Sequence, residues 1–111
     1  MANFNFNKTI IDVEIDGEMY IATVDIKTIA HFKKKNKTSF LSAVQSLSEL
    51  DELATIKLLG SVIRKSEQSE PVGAEFFNNY NPLAVIEALA PVLVEAMGTN
   101  MPEAEGEQEK K

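Results

Sequence analysis

Lys8-Thr-Ile-Ile-Asp-Val-Glu-Ile-Asp-Gly-Glu-Met-Tyr-Ile-Ala-Thr-Val-Asp25 is the stretch that decides the architecture of this chain. Two runs of alternating polarity flank the dipeptide Asp16-Gly17, and a two-residue hairpin turn needs the positive φ that glycine adopts at little cost. With the turn placed there, Ile15 stands opposite Glu18, Val13 opposite Tyr20 and Ile11 opposite Ala22. Side chains alternate between the faces of a strand. One face therefore carries Ile11, Val13, Ile15, Tyr20, Ala22 and Val24, and the other carries Asp12, Glu14 and Thr23. A lone two-stranded hairpin is marginal in water, so its apolar face requires helices or a second copy to cover it.

Working outward, the Asn-rich opening with Phe4 and Phe6 alternating reads equally as a loose arm or as a third strand. Everything after the hairpin reads as helix. Asp25 is placed to cap a short helix whose apolar residues are Ile26, Ile29, Ala30 and Phe32, closing at Lys33-Lys34-Lys35-Asn36 with cations against the negative helix end. Thr38 or Ser39 starts a second helix with Phe40, Leu41, Val44 and Leu47 on one side. Ser48-Glu-Leu-Asp51 resembles a capping box with Asp in the closing position, and predicts a third helix from Glu49 to about Lys65. In it Leu50, Leu53, Ile56, Leu59 and Ile63 recur at helical spacing, widened by Leu58 and Val62. Gly60 within that helix costs about 1 kcal/mol relative to Ala, which marks it as a point of close approach.

Residues 66–73 are a loop by composition, and Glu75 to Tyr80 reads as a helical turn or a structured loop anchored by Phe76, Phe77 and Tyr80. Asn81-Pro82 is the clearest helix start: a capping side chain followed by proline at the first helical position. Gly98 is placed to end that helix in a left-handed conformation, and Pro91 inside it is expected to kink it. The expected fold class is α+β: an N-terminal β-hairpin, with or without a third strand, followed by four or five helices. Residues 1–98 form the single expected domain, and residues 99–111 an acidic tail with too little apolar content to order itself.

Composition narrows the function classes. The chain has 111 residues, a net charge of −6 and no cysteine. Disulfides, thiolate metal sites and thiol nucleophiles are thereby excluded, and a reducing compartment is the expectation. The acidic balance argues against non-specific nucleic-acid binding, which works by neutralising phosphates with Lys and Arg. The opening has neither the basic start nor the apolar run of a secretory signal, and no stretch matches a membrane span.

Candidate chemistry is sparse. His31 is the only histidine and has no partner signalled by spacing, so a structural role is its expected one. Asp12, Glu14, Asp16 and Glu18 surround the hairpin turn but lack a calcium-loop pattern, and read as a solvated strand face. Lys33, Lys34, Lys35 and Lys37 form the one basic cluster, without interleaved aromatics or arginine, and read as a solvated helix end. Gly60, Gly73 and Gly98 open no phosphate-binding loop. No catalytic residue, cofactor site or metal site is expected, and the chain is expected not to be an enzyme.

The last helix carries the sharper expectation. Leu83, Ile86, Leu89 and Leu93 are placed to face the core, which leaves Val85, Val92 and Val94 partly uncovered. An apolar helix of this breadth is either buried centrally or offered to other polypeptides. On the second alternative the partner-binding residues are Val85, Leu89, Val92, Leu93, Val94 and Met97.

The order of these features resembles that of the tail assembly chaperones of long-tailed bacteriophages or prophages of Gram-positive bacteria. It rests on residues 11–20 (IDVEIDGEMY), 53–63 (LATIKLLGSVI) and 82–90 (PLAVIEALA), and on the charged tail. The resemblance implies a non-catalytic protein of the host cytoplasm that coats the tape measure protein, keeps it soluble, helps recruit tail tube protein and leaves before the virion is finished. It implies a homo-oligomer with no cofactor, no nucleic acid and no membrane. In many such genes a ribosomal frameshift near the end yields a longer form, a role that an A-rich run encoding Glu109-Lys110-Lys111 would suit. Two other classes compete: a small DNA-binding or transcription-regulating module acting through Lys33 to Lys37, and a structural head-tail or tail subunit.

Overall fold

The computed structural model describes residues 7–49 and 51–98. The strand considered at Phe4 and Phe6, and the tail over 99–111, lie outside the described residues. The fold is α+β. Strands β1 (Ile10–Ile15) and β2 (Glu18–Thr23) form the hairpin in the expected register, with Val13 opposite Tyr20 and Ile11 opposite Ala22. Asp16 and Gly17 both have positive φ, 56° and 78°, as a primed two-residue turn demands.

Helices α1 (Ile26–Asn36), α2 (Phe40–Gln45) and α3 (Glu52–Val62) follow. A two-residue strand β3 (Ile63–Arg64) then pairs antiparallel with β2, giving the sheet order β1-β2-β3. After a short 3-10 turn (Ala74–Phe77), α4 (Pro82–Met97) completes the described chain.

Each helix start is explained by its cap. The side chains of Asp25, Ser39 and Asp51 accept from the N–H of Thr28, Ser42 and Ala54, and Asn81 accepts from Leu83 and Ala84. Asp51 is thus the N-cap itself, so α3 begins later than the box at Ser48 predicts. It also ends earlier, because Ile63 and Arg64 leave the helix to extend the sheet. At the C-terminus of α1, Lys37 takes the left-handed conformation that glycine usually supplies. Gly98 ends α4 with φ 84° and ψ 175°, a positive φ but an extended ψ rather than the expected left-handed turn. The helix runs unbroken through Pro91.

The buried helix is α3. It touches α1, α2, α4, the 3-10 turn and the sheet, and Leu58, Leu59 and Val62 are fully enclosed. Its inward face is Thr55, Leu58, Leu59 and Val62, whereas Leu53 is exposed. Of the expected stripe, Leu58, Leu59, Val62 and Ile63 are buried and Ile56 packs on the core, Leu53 is outside, and Leu50 lies outside the described residues; Thr55, whose hydroxyl donates to the Asp51 carbonyl at 2.9 Å, joins the buried face although it reads as polar in sequence. Likewise α1 buries Thr28 and Phe32 and leaves Ile26, Ile29 and Ala30 outside, and α2 leaves Leu41 exposed. Gly60 is the close approach that its position implies. Its carbonyl accepts from Gly73 N–H at 2.8 Å, and a Cβ there would meet the Gly73 carbonyl carbon and the Ala74 nitrogen.

One corner of the sheet is closed by a polar cluster. Arg64, the chain's one arginine, projects to the face shared with Ile21 and Thr23 and is completely buried. Its Nη2 donates to Asp25 Oδ1 at 2.6 Å and to Thr28 Oγ1 at 3.0 Å, and Nη1 donates to the Glu67 carbonyl at 3.1 Å. Thr28 Oγ1 in turn donates to the Thr23 carbonyl at 3.0 Å. These bonds tie β2, β3, the start of α1 and the loop after β3 together. They also explain why Thr23, on the face expected to be polar, is buried while Asp12 and Glu14 stay exposed.

Candidate interaction surface

Helix α4 lies on this body without being enclosed by it. Of its sixteen residues only Leu93 and Ala96 are buried, although all but Pro82, Glu87, Pro91 and Glu95 are Ala, Val, Ile, Leu or Met. Val85, Leu89, Val92 and Met97 pack partly against the core. Leu83 is 65% exposed and Val94 59% exposed. Leu83, read as a core residue, is therefore outside, whereas Leu93, read both as core-facing and as a candidate contact, forms part of the core at 1% exposure.

Two depressions flank the helix. The first, about 420 Å³, is lined by Leu47, Glu52, Thr55, Leu83, Ile86, Ala90, Leu93 and Val94, and lies between α4 and the start of α3. Its α4 wall is an apolar stripe at helical spacing: Leu83, Ile86, Ala90 and Val94. The second, about 330 Å³, runs between α4 and the hairpin tip, where Ile15, Phe77, Ala84, Val85, Ala88 and Leu89 supply the apolar lining. Of the six candidate contacts, Val94 and Leu93 line the first depression and Val85 and Leu89 the second; Val92 and Met97 line neither. The first depression is also lined by Leu47, Leu83, Ile86 and Ala90, which are not among the six candidates. The available signal was Glu87, one turn from Leu83 and two turns from Val94 on the same side of the helix, which marks that side as solvent-facing.

The hairpin tip and the entry to α4 are fixed to each other. The Tyr80 hydroxyl donates to Asp16 Oδ2 at 2.8 Å, a bond that raises the phenol pKa. Phe76 stacks edge-on against Tyr20, Phe77 and Tyr80, at 5.4, 5.1 and 5.9 Å between ring centres. The aromatic residues expected to anchor this segment do so. Lys65 lies over the face of the Tyr20 ring, its Nζ 4.5 Å from the ring centre and 2.7 Å from Glu18 Oε1.

The remaining candidates are dispersed. His31 is half-buried, with Nδ1 3.2 Å from Ser61 Oγ; burial and the nearby Lys35 lower its pKa. Lys33, Lys34, Lys35 and Lys37 are exposed at the end of α1, and Lys35 Nζ lies 3.7 Å from Glu75 Oε2. Among the described residues no group of three or more His, Asp or Glu side chains is placed to hold a metal ion, and no helix is long and apolar enough to cross a membrane. Comparison with protein-family models, with curated proteins and with solved structures gives no match.

Proposed function

We propose that this protein is a holding chaperone of the tail-assembly type. It covers the apolar surface of a long helical client, the tape measure protein of a phage or prophage tail, until tail tube subunits replace it. On this reading it performs no reaction, works as several copies in the bacterial cytoplasm, and leaves before the virion is complete. Each copy binds modestly, and many copies on one rod-shaped client supply the avidity.

The observation that carries the reading is α4. Twelve of its residues are apolar, yet the body encloses two, and an apolar groove runs along each side. A surface of this kind belongs to proteins that bind other polypeptides, and an amphipathic helix is the occupant a helix-lined groove fits.

The test is co-expression with the product of a long coiled-coil reading frame immediately downstream of this gene. The client is expected to stay soluble with the wild-type chain and to precipitate without it or with Val94→Lys. Solubility that is independent of this protein overturns the reading. Salt-sensitive binding to duplex DNA would point instead to a regulator, and retention in finished particles to a structural subunit.

A further inference from the structure

We infer that the groove between α4 and the start of α3 takes an amphipathic helix whose apolar face is bordered on both sides by lysine or arginine. The inference rests on the holding function proposed above and specifies the chemistry of the segment held.

The groove fixes three properties of its occupant. Its α4 wall runs from Leu83 to Val94 with Ile86 and Ala90 between, a length of about 16 Å at the rise of an α-helix. Three turns of a partner helix match that span, with apolar anchors at i, i+3 or i+4, and i+7. The floor, Leu47 and Leu93, is apolar, so the centre of the partner face must be apolar too.

The rim supplies the charge. Glu52 lines the α3 side. On the α4 side, exposed Glu87 lies one turn from Leu83 and two turns from Val94. No lysine or arginine is among the lining residues, and α4 has Glu87 and Glu95 as its only charged side chains. An occupant with cations flanking its apolar seam meets a carboxylate on each side, whereas one with acidic flanks meets like charge twice.

The same arithmetic disfavours a second copy here. Pairing α4 with its own counterpart brings Glu87 and Glu95 toward another copy's carboxylates, with no cation on either helix to offset them. An α4-to-α4 pairing of two copies is therefore disfavoured in this groove.

Three synthetic helical peptides of about eighteen residues test this, sharing one apolar seam and differing only in flanks of Lys, Gln or Glu. Binding to the full chain is followed by fluorescence anisotropy. The Lys-flanked peptide is expected to bind about tenfold tighter than the Gln-flanked one, with the advantage shrinking as salt rises. The Glu-flanked peptide is expected to show no measurable binding. The double variant Glu52→Lys/Glu87→Lys, its fold checked by circular dichroism, is expected to reverse the order. Equal affinity for all three peptides overturns the inference, as does dissociation of a homo-oligomer by Val94→Lys without any peptide binding to the wild type. If Val94→Lys still abolishes client rescue while the peptides show no charge preference, the charge inference fails and the holding function stands. Loss of both removes both.

Discussion

Asp25 and Arg64 are expected to be unequal partners, and truncating the carboxylate should cost much more than removing the guanidinium. Asp25 has several tasks at once: its Oδ1 caps α1 through Thr28 N–H at 3.0 Å and accepts from Arg64 at 2.6 Å, and its Oδ2 lies 3.3 Å from Lys8 Nζ. Arg64 is fully buried, and among the described residues no other carboxylate is paired with it. Asp25→Ala therefore leaves a buried cation without its counter-charge. Breaking such a pair from one side costs about 3–5 kcal/mol, and the lower end applies because Asp25 is partly exposed. Loss of the cap adds about 1 kcal/mol. A domain of this size has roughly 5–15 kcal/mol of stability, so the variant loses a large part of it and melts on the order of 15 °C lower. Arg64→Met removes a charge whose buried Nε has no hydrogen-bond partner among the described residues, fills similar volume with apolar atoms and leaves the Asp25 cap in place. It is expected to stay within about 1 kcal/mol of wild type.

Urea unfolding followed by circular dichroism measures both, and Asp25→Asn, which keeps a capping oxygen, separates charge from cap. The pH dependence gives an independent reading. Burial raises the Asp25 pKa, but the hydrogen bonds from Arg64 and Thr28 outweigh it and hold the carboxyl well below the usual carboxylate range. A depressed folded-state value means that the stabilisation is present above the unfolded value of about 3.9 and is lost as pH falls through the folded one. Asp25→Asn should flatten that acid limb. Equal losses for Asp25→Ala and Arg64→Met, or an unchanged acid limb in Asp25→Asn, would refute the assignment of the pair.

The neighbours Leu93 and Val94 should separate folding from binding. Leu93→Ala is expected to lower stability by about 2–5 kcal/mol, because it empties an enclosed position. Val94→Lys is expected to stay within about 0.5 kcal/mol in urea unfolding while abolishing client rescue, and its cation is compatible with the C-terminal turn of α4. Gly60→Ala should destabilise by about 2 kcal/mol despite the better helix propensity of alanine, since its Cβ meets the Gly73 and Ala74 backbone, which cannot turn aside. Gly17→Ala has open space around it and should cost only the left-handed strain, about 1 kcal/mol, measurable in the same titration.

What could be read in advance was local. The hairpin register followed from Asp16-Gly17 and the alternation on either side, and the caps at Asp25 and Asn81 followed from side chains that reach their own backbone, while the start of α2 was narrowed to Thr38 or Ser39, of which Ser39 is the cap. The third strand was not legible, because two residues, Ile63 and Arg64, carry no period, and the preceding apolar spacing continues the helical pattern into them. Nor was the partner of Asp25, because the pairing spans 39 residues and depends on the chain returning to the sheet. The assignment of burial to helices shows the physical limit most clearly. Both α3 and α4 are apolar well beyond one stripe, and counting apolar residues favours α4 as the enclosed one. Enclosure instead followed small and hydroxylic residues. Thr55, Gly60 and Ser61 are all buried: Gly60 lets the Gly73-Ala74 backbone come close, and Ser61 Oγ lies 3.2 Å from His31 Nδ1. Helix α4 contains no glycine, serine or threonine and keeps two glutamates eight residues apart, both exposed. Those glutamates fix the solvent-facing sector, and Leu83 and Val94 fall within a turn or two of Glu87. Had the helix been oriented by its charges and not by its apolar stripe, the exposed seam would have been drawn through Leu83, Ala90 and Val94. The surplus apolar surface of α4 is thus a matter of position: the residues that could have been polar without cost to the core are the ones that are not.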